Sequence, residues 1–82
     1  MNITDKIKEY IKNLEDRPAS LIWDLNSYHE GLMVLRMIAQ TPSSKIKQHK
    51  NYILEHSKSL SYLSHVVRMP EEIENYIHES LI

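Results

Sequence analysis

A single glycine, Gly31, stands among the 82 residues of the chain. Glycine supplies the unusual backbone conformations that tight hairpins, β-bulges and phosphate-cradling loops require. Phosphate-binding loops with two or more glycines are therefore excluded, and the Gly-x-Ser-x-Gly motif of many hydrolases cannot occur. This scarcity predicts an all-α fold.

The length and composition indicate one ordinary globular domain spanning residues 1–82. Hydrophobic residues make up 41% of the chain and charged residues 26%, far from the composition of disordered proteins. The charged N-terminal stretch lacks the apolar core of a signal peptide, and the longest apolar run covers only residues 32–35. The absence of cysteine excludes disulfides and suits a reducing compartment. We expect a cytoplasmic protein without a membrane partner, compatible with a small bacterial or phage regulator.

Three prolines, at positions 18, 42 and 70, divide the chain into four segments with helical periodicity. The apolar spacing predicts a first helix over residues 4–16 and a last helix that starts at Pro70. Acidic residues in the first turn of this last helix suit the helix dipole. The segments predict a small antiparallel bundle of four helices, with self-association to a dimer as an option because so short a chain has a modest core.

The second segment, residues 18–40, allows two interpretations. Its apolar stripe includes Leu21 and Leu25 and favours one continuous, central helix in which Gly31 permits a close crossing by a neighbour. Ser27 and Glu30 have the spacing of a capping box, so the alternative is a break near Asn26 and a bundle of five helices.

The third segment, residues 43–68, has a stripe at alternating spacings of three and four residues, which predicts one long packed helix. The serine-rich stretch 57–61 has weak helix propensity, so the alternative is an interruption there. The stripe residues are Ile46, His49, Ile53, His56, Leu60, Leu63 and Val67. The face opposite the stripe carries a basic ridge, which fits a solvated face, a contact with an acidic protein surface such as the chain's own last helix, or a nucleic-acid backbone. The ridge residues are Lys47, Lys50, Lys58, His65 and Arg68.

Three apolar or aromatic residues are candidate interface anchors. Leu54 falls within the basic ridge, and Tyr62 falls on the helix face opposite the apolar stripe, where we expect it to be exposed. Trp23 is the only tryptophan. Its ordinary interpretation is a core residue, and the alternative is an exposed anchor, since tryptophan and tyrosine are enriched at interface centres.

Catalytic and metal-binding patterns are absent from the sequence. His49 and His56 are seven residues apart, about 10 Å along a helix, too far for both to bind one metal ion without ligands from elsewhere. No His-Glu-x-x-His or Glu-x-x-His pair occurs. We therefore expect no metal, no cofactor and no enzymatic activity.

These observations favour a non-catalytic protein–protein interaction module, that is, a small regulator, adaptor or inhibitor that binds a macromolecule through helix faces. The alternative is a nucleic-acid-binding regulator that uses the basic ridge. The candidate partner-binding residues are Trp23, Lys47, Lys50, Leu54, Lys58, Tyr62 and Arg68.

Overall fold

Helices make up most of the fold. A computed structural model describes residues 2–82, and within this range there is no β-strand. The all-α prediction is confirmed, and residues 2–82 contain five α-helices, with one 3₁₀ segment before α2 and another before α3. The α-helices are α1 (Ile3–Glu15), α2 (Leu25–Gln40), α3 (Lys50–Glu55), α4 (Ser57–Val66) and α5 (Glu71–Ser80), and the 3₁₀ segments are Ala19–Leu21 and Ser43–His49.

The core forms around α2, which packs against α4 and α1, while α5 packs against α1. Side chains from several helices meet there with no exposed surface, among them Leu14, Leu35 and Leu63. The hydroxyl of Tyr10 donates a hydrogen bond of 2.6 Å to the carbonyl of Val67 and so ties α1 to the α4–α5 connection. Burial of this tyrosine raises its pKa well above the ordinary value.

The outer helices follow the sequence pattern closely. Helix α1 begins and ends one residue before the predicted range of 4–16. Helix α5 begins directly after Pro70 with three glutamates in its first turn, and one of them, Glu72, forms an ion pair with Lys6 of α1.

None of the helices within residues 2–82 has the length and apolar character needed to cross a membrane.

Helix α2 starts later than the continuous-helix interpretation of residues 18–40 requires, so that interpretation is wrong. The backbone is extended at Ile22, and the N-cap of α2 is Asp24. The Asp24 carboxylate accepts hydrogen bonds from the backbone N–H of Ser27 at 3.1 Å and from its hydroxyl at 2.8 Å. Because Asp24 satisfies the helix start, the predicted capping box does not form, and Glu30 instead accepts a bond from the Ser59 hydroxyl at 2.9 Å.

Gly31 lies in the middle of α2, where α4 approaches closely. A Cβ atom at this position would lie 2.7 Å from Cγ of Leu63 and 2.8 Å from the backbone carbonyl oxygen of Ser59. A Cβ atom essentially never comes this close to its neighbours, so a side chain here would force Leu63 or the Ser59 backbone to move. Of the two sequence alternatives, the close crossing at Gly31 occurs. The break lies before α2, at the extended residue Ile22, rather than near Asn26, which belongs to α2.

The third segment is not one long helix, so the long-helix prediction is wrong, and the interruption lies at His56, directly before the serine-rich stretch that offered the alternative. It consists of the Ser43–His49 segment, α3 and α4, with His56 between the two α-helices. The predicted apolar stripe is nevertheless buried at Ile46, Ile53, Leu60 and Leu63. The serines that begin α4 favour helix starts over helix interiors, because their hydroxyls compete for backbone hydrogen bonds.

Candidate functional site

The most exposed aromatic side chain in the described structure belongs to Trp23, which retains 77% of its accessible surface. Leu21 and Leu25, two residues away on either side, are 54% and 55% exposed. We call Leu21, Trp23 and Leu25 the Trp23 patch. The core interpretation of Trp23 is wrong, and the placement of Leu21 and Leu25 on the buried stripe is wrong as well.

Tyr62 of α4 fixes the position of the Trp23 patch. The backbone N–H groups of Trp23 and Asp24 both donate hydrogen bonds to the Tyr62 hydroxyl oxygen, at 3.1 and 3.2 Å. The two aromatic rings also meet edge to face, with centroids 4.7 Å apart. Tyr62 is only 6% exposed, so the expectation of an exposed Tyr62 is wrong. Its hydroxyl and its ring instead contact the segment that carries Trp23.

Extended backbone turns the indole outward. Successive side chains of an extended segment point to opposite sides, and Ile22 packs against the core while Trp23 faces solvent. Asp24 then starts α2, and the hydrogen bonds from Ser27 hold the pKa of its carboxyl below the ordinary value. The chain segment that carries Trp23 is thus held at a helix cap on one side and by Tyr62 beneath it.

Tyr62→Phe is expected to destabilise the protein by about 1 kcal/mol, because it removes the acceptor of two backbone N–H groups that water can satisfy only in part. Chemical denaturation followed by circular dichroism at 222 nm measures this change. The substitution keeps the aromatic ring in place, so the helical content should remain unchanged. A Tyr62→Phe protein as stable as the wild type would show that the hydroxyl does not hold the Trp23 segment.

The basic ridge does not lie on one helix, which corrects its predicted geometry. Lys47 belongs to the Ser43–His49 segment and lines a cleft of about 140 Å³ together with Glu79 of α5. Arg68 follows α4 and lines a cleft of about 300 Å³ together with Glu72. Each of these two cations therefore shares a cleft with a glutamate of the chain's own last helix.

The remaining candidates are divided between α3 and α4. Leu54 on α3 is 46% exposed, as expected of an anchor, whereas Lys50 at the start of α3 is half-buried. Lys58 on α4 is exposed. Since Lys58 precedes Tyr62 by four residues on the same helix, the two side chains are neighbours one turn apart. The structure therefore brings Trp23 and Tyr62 into contact. Lys58 lies one turn before Tyr62 on α4, and Lys47 and Arg68 lie outside α4.

His56 lies in a small polar cluster. Its Nδ1 atom lies 3.9 Å from Oε2 of Glu30, which also accepts the hydrogen bond from Ser59. The ring of Tyr52 meets the His56 imidazole edge to face at 4.7 Å. Within residues 2–82, no group of three or more histidine, aspartate or glutamate side chains is arranged to hold a metal ion.

The sequence reasoning missed Leu21 and Leu25 because helical periodicity assigned them to the core. One local signal identifies the correct helix start: Asp24 is a favoured N-cap residue, with Ser27 three positions later to donate to it. A helix that begins at Asp24 places Leu21 outside α2 and Leu25 in its first turn.

Comparisons with protein-family models, with curated proteins and with solved structures find no match for this chain.

Proposed function

We propose that this protein is a non-catalytic interaction module that binds another protein through the Trp23 patch. The observation that supports the proposal is an indole that is 77% exposed although its own backbone is fixed by Tyr62. Burial of a tryptophan in the core would stabilise the fold, and an exposed tryptophan does not make this contribution. Contact of the indole with another protein accounts for its exposure.

The fixed position of Trp23 favours tight binding. Association costs less conformational entropy when the side chain at the centre of the interface is already ordered in the free protein. Tryptophan is also one of the residue types that dominate the energy of protein interfaces when they enter a partner's pocket. The Trp23 patch therefore has the composition and the rigidity of an interface centre.

Trp23→Ala is expected to lower affinity for the physiological partner by at least ~30-fold, the effect of removing an interface residue worth about 2 kcal/mol or more. The test captures partners from an extract of the native cell with immobilised wild-type and variant proteins and then measures affinity for the purified partner. Trp23 is largely exposed, so the variant should retain its helical circular dichroism spectrum.

Met33→Ala is the matched control. Met33 is also an exposed apolar residue of the same region, but it lies two turns beyond Leu25 on α2, about 12 Å along the axis. We expect this variant to bind like the wild type. Equal binding by the wild type and Trp23→Ala would contradict the proposal. The nucleic-acid alternative would replace it if duplex DNA bound with a steep salt dependence.

A further inference from the structure

A cleft of about 230 Å³ opens between α4 and α5, which follow each other in the chain. Its floor is apolar, because three nearly buried side chains of the core reach it. These floor residues are Leu60, Met69 and Ile77. Pockets of drug-sized ligands span roughly 300–1,000 Å³, so this cleft suits a smaller organic molecule.

The rim of the cleft is rich in hydrogen-bond acceptors. Ser61 and Ser64 of α4 lie on one side, and Glu74 of α5 lies on the other. His78 also lines the cleft, and a neutral imidazole accepts one hydrogen bond. The ion pairs that lysine or arginine forms within residues 2–82 do not involve Glu74. This carboxylate is therefore available to a ligand that donates hydrogen bonds.

The charges around the cleft favour a cationic ligand. No lysine or arginine is among the described residues that line it, and Arg68 lines the separate cleft that contains Glu72. Ser64 lies in the last turn of α4, where backbone carbonyls carry partial negative charge. The N-terminus of α5 has about half an elementary positive charge, which the carboxylates of Glu71 and Glu74 in its first turn outweigh.

We propose that the α4–α5 cleft binds a small organic amine, whose protonated nitrogen pairs with Glu74 and whose apolar body covers Leu60 and Ile77. An ammonium group has only hydrogen-bond donors and so matches a rim of acceptors. Its bonds to a carboxylate are stronger than bonds between neutral groups, and the apolar floor removes the attached carbon atoms from water. The cleft does not include Tyr62, which contacts Trp23, so this inference does not depend on the proposed function.

Amide NMR spectra of the full chain at neutral pH, titrated with phenethylamine, test this site. Phenethyl alcohol and phenylacetate carry the same ring with a neutral and an anionic group. The amine should shift the resonances of Ser61, Ser64 and Glu74 with a dissociation constant of about 1 mM or lower. The alcohol should bind about three- to tenfold more weakly, and phenylacetate more weakly still, because both lack the charge that pairs with a carboxylate. Equal affinity for the amine and the alcohol, or no response of these resonances, would overturn the proposal.

Glu74→Gln removes the charge from the cleft but keeps its shape, because glutamine is nearly the size of glutamate. It should weaken phenethylamine binding about three- to tenfold and leave the affinity for phenethyl alcohol unchanged. Glu79→Gln is the matched control, since it makes the same change on α5 at a residue that lines the cleft with Lys47 instead. Both glutamates are exposed, so both variants should keep the helical circular dichroism spectrum. If the two variants bound the amine equally well, the pairing with Glu74 would be refuted.

Discussion

Leu35→Ala is expected to lower the free energy of unfolding by about 2–5 kcal/mol, because it leaves a cavity at the centre of the core. Leu35 lies on α2 with no exposed surface and belongs to the cluster where α1, α2 and α4 meet. A domain of this length has a total stability of only about 4–12 kcal/mol. The single substitution therefore removes a large fraction of the stability and is expected to leave a partly unfolded population at 37 °C.

Leu25→Ala is the matched control for this experiment, since it makes the same change on the same helix at a residue that is 55% exposed. Its effect on stability should stay within about 1 kcal/mol. Urea denaturation monitored by circular dichroism gives both values. Because Leu25 belongs to the Trp23 patch, its variant should weaken partner binding while it remains folded. Equal losses of stability in the two variants would show that α2 does not bury Leu35 and expose Leu25.

Gly31→Ala is expected to destabilise the protein by about 1–3 kcal/mol, although alanine is the better helix former. The higher helix propensity of alanine alone would stabilise α2 by about 1 kcal/mol. The added methyl group, however, would collide with Leu63 and with the Ser59 carbonyl oxygen, and overpacking of this kind has the larger cost. The sign of the change in stability thus tests the close crossing of α2 and α4.

Two further variants identify the atom that resists the new methyl group. Leu63→Ala removes one of the two obstacles, whereas the Ser59 carbonyl belongs to the backbone and remains in place. The double variant Gly31→Ala/Leu63→Ala should consequently be no more stable than Leu63→Ala alone. Thermal and urea unfolding of the three proteins supply the comparison. A gain in stability on adding Gly31→Ala in either background would contradict the close crossing.

The outer helices α1 and α5 could be predicted from short stretches of sequence. Helices α1 and α5 lie within about a residue of their predicted starts, because proline, capping side chains and one apolar face define them without reference to the rest of the chain. The buried stripe through Ile46, Ile53, Leu60 and Leu63 was also correct. The errors concern continuity: a periodic stripe can run across a break such as His56, so periodicity does not reveal whether the helix is continuous.

The candidate site was predicted only in part for a related reason. Trp23, Lys58 and Tyr62 were all singled out, but Tyr62 was given the exposed position and Trp23 was weighed chiefly as core. The two residues are 39 positions apart, and the hydrogen bond between them forms only when α4 packs beside α2. A helical face calculated for an isolated segment contains no information about a partner so distant in sequence.

The sequence by itself determined that this chain is all-helical and without glycine-rich loops, because composition and apolar periodicity act through local conformational preferences. Only the tertiary structure decided which apolar residues face water. The close approach of α4 at Gly31, the cap at Asp24 and the hydroxyl of Tyr62 together direct Ile22 inward and Trp23 outward. Packing between residues that are distant in sequence leaves Leu21, Trp23 and Leu25 at the surface, and no single segment specifies that packing.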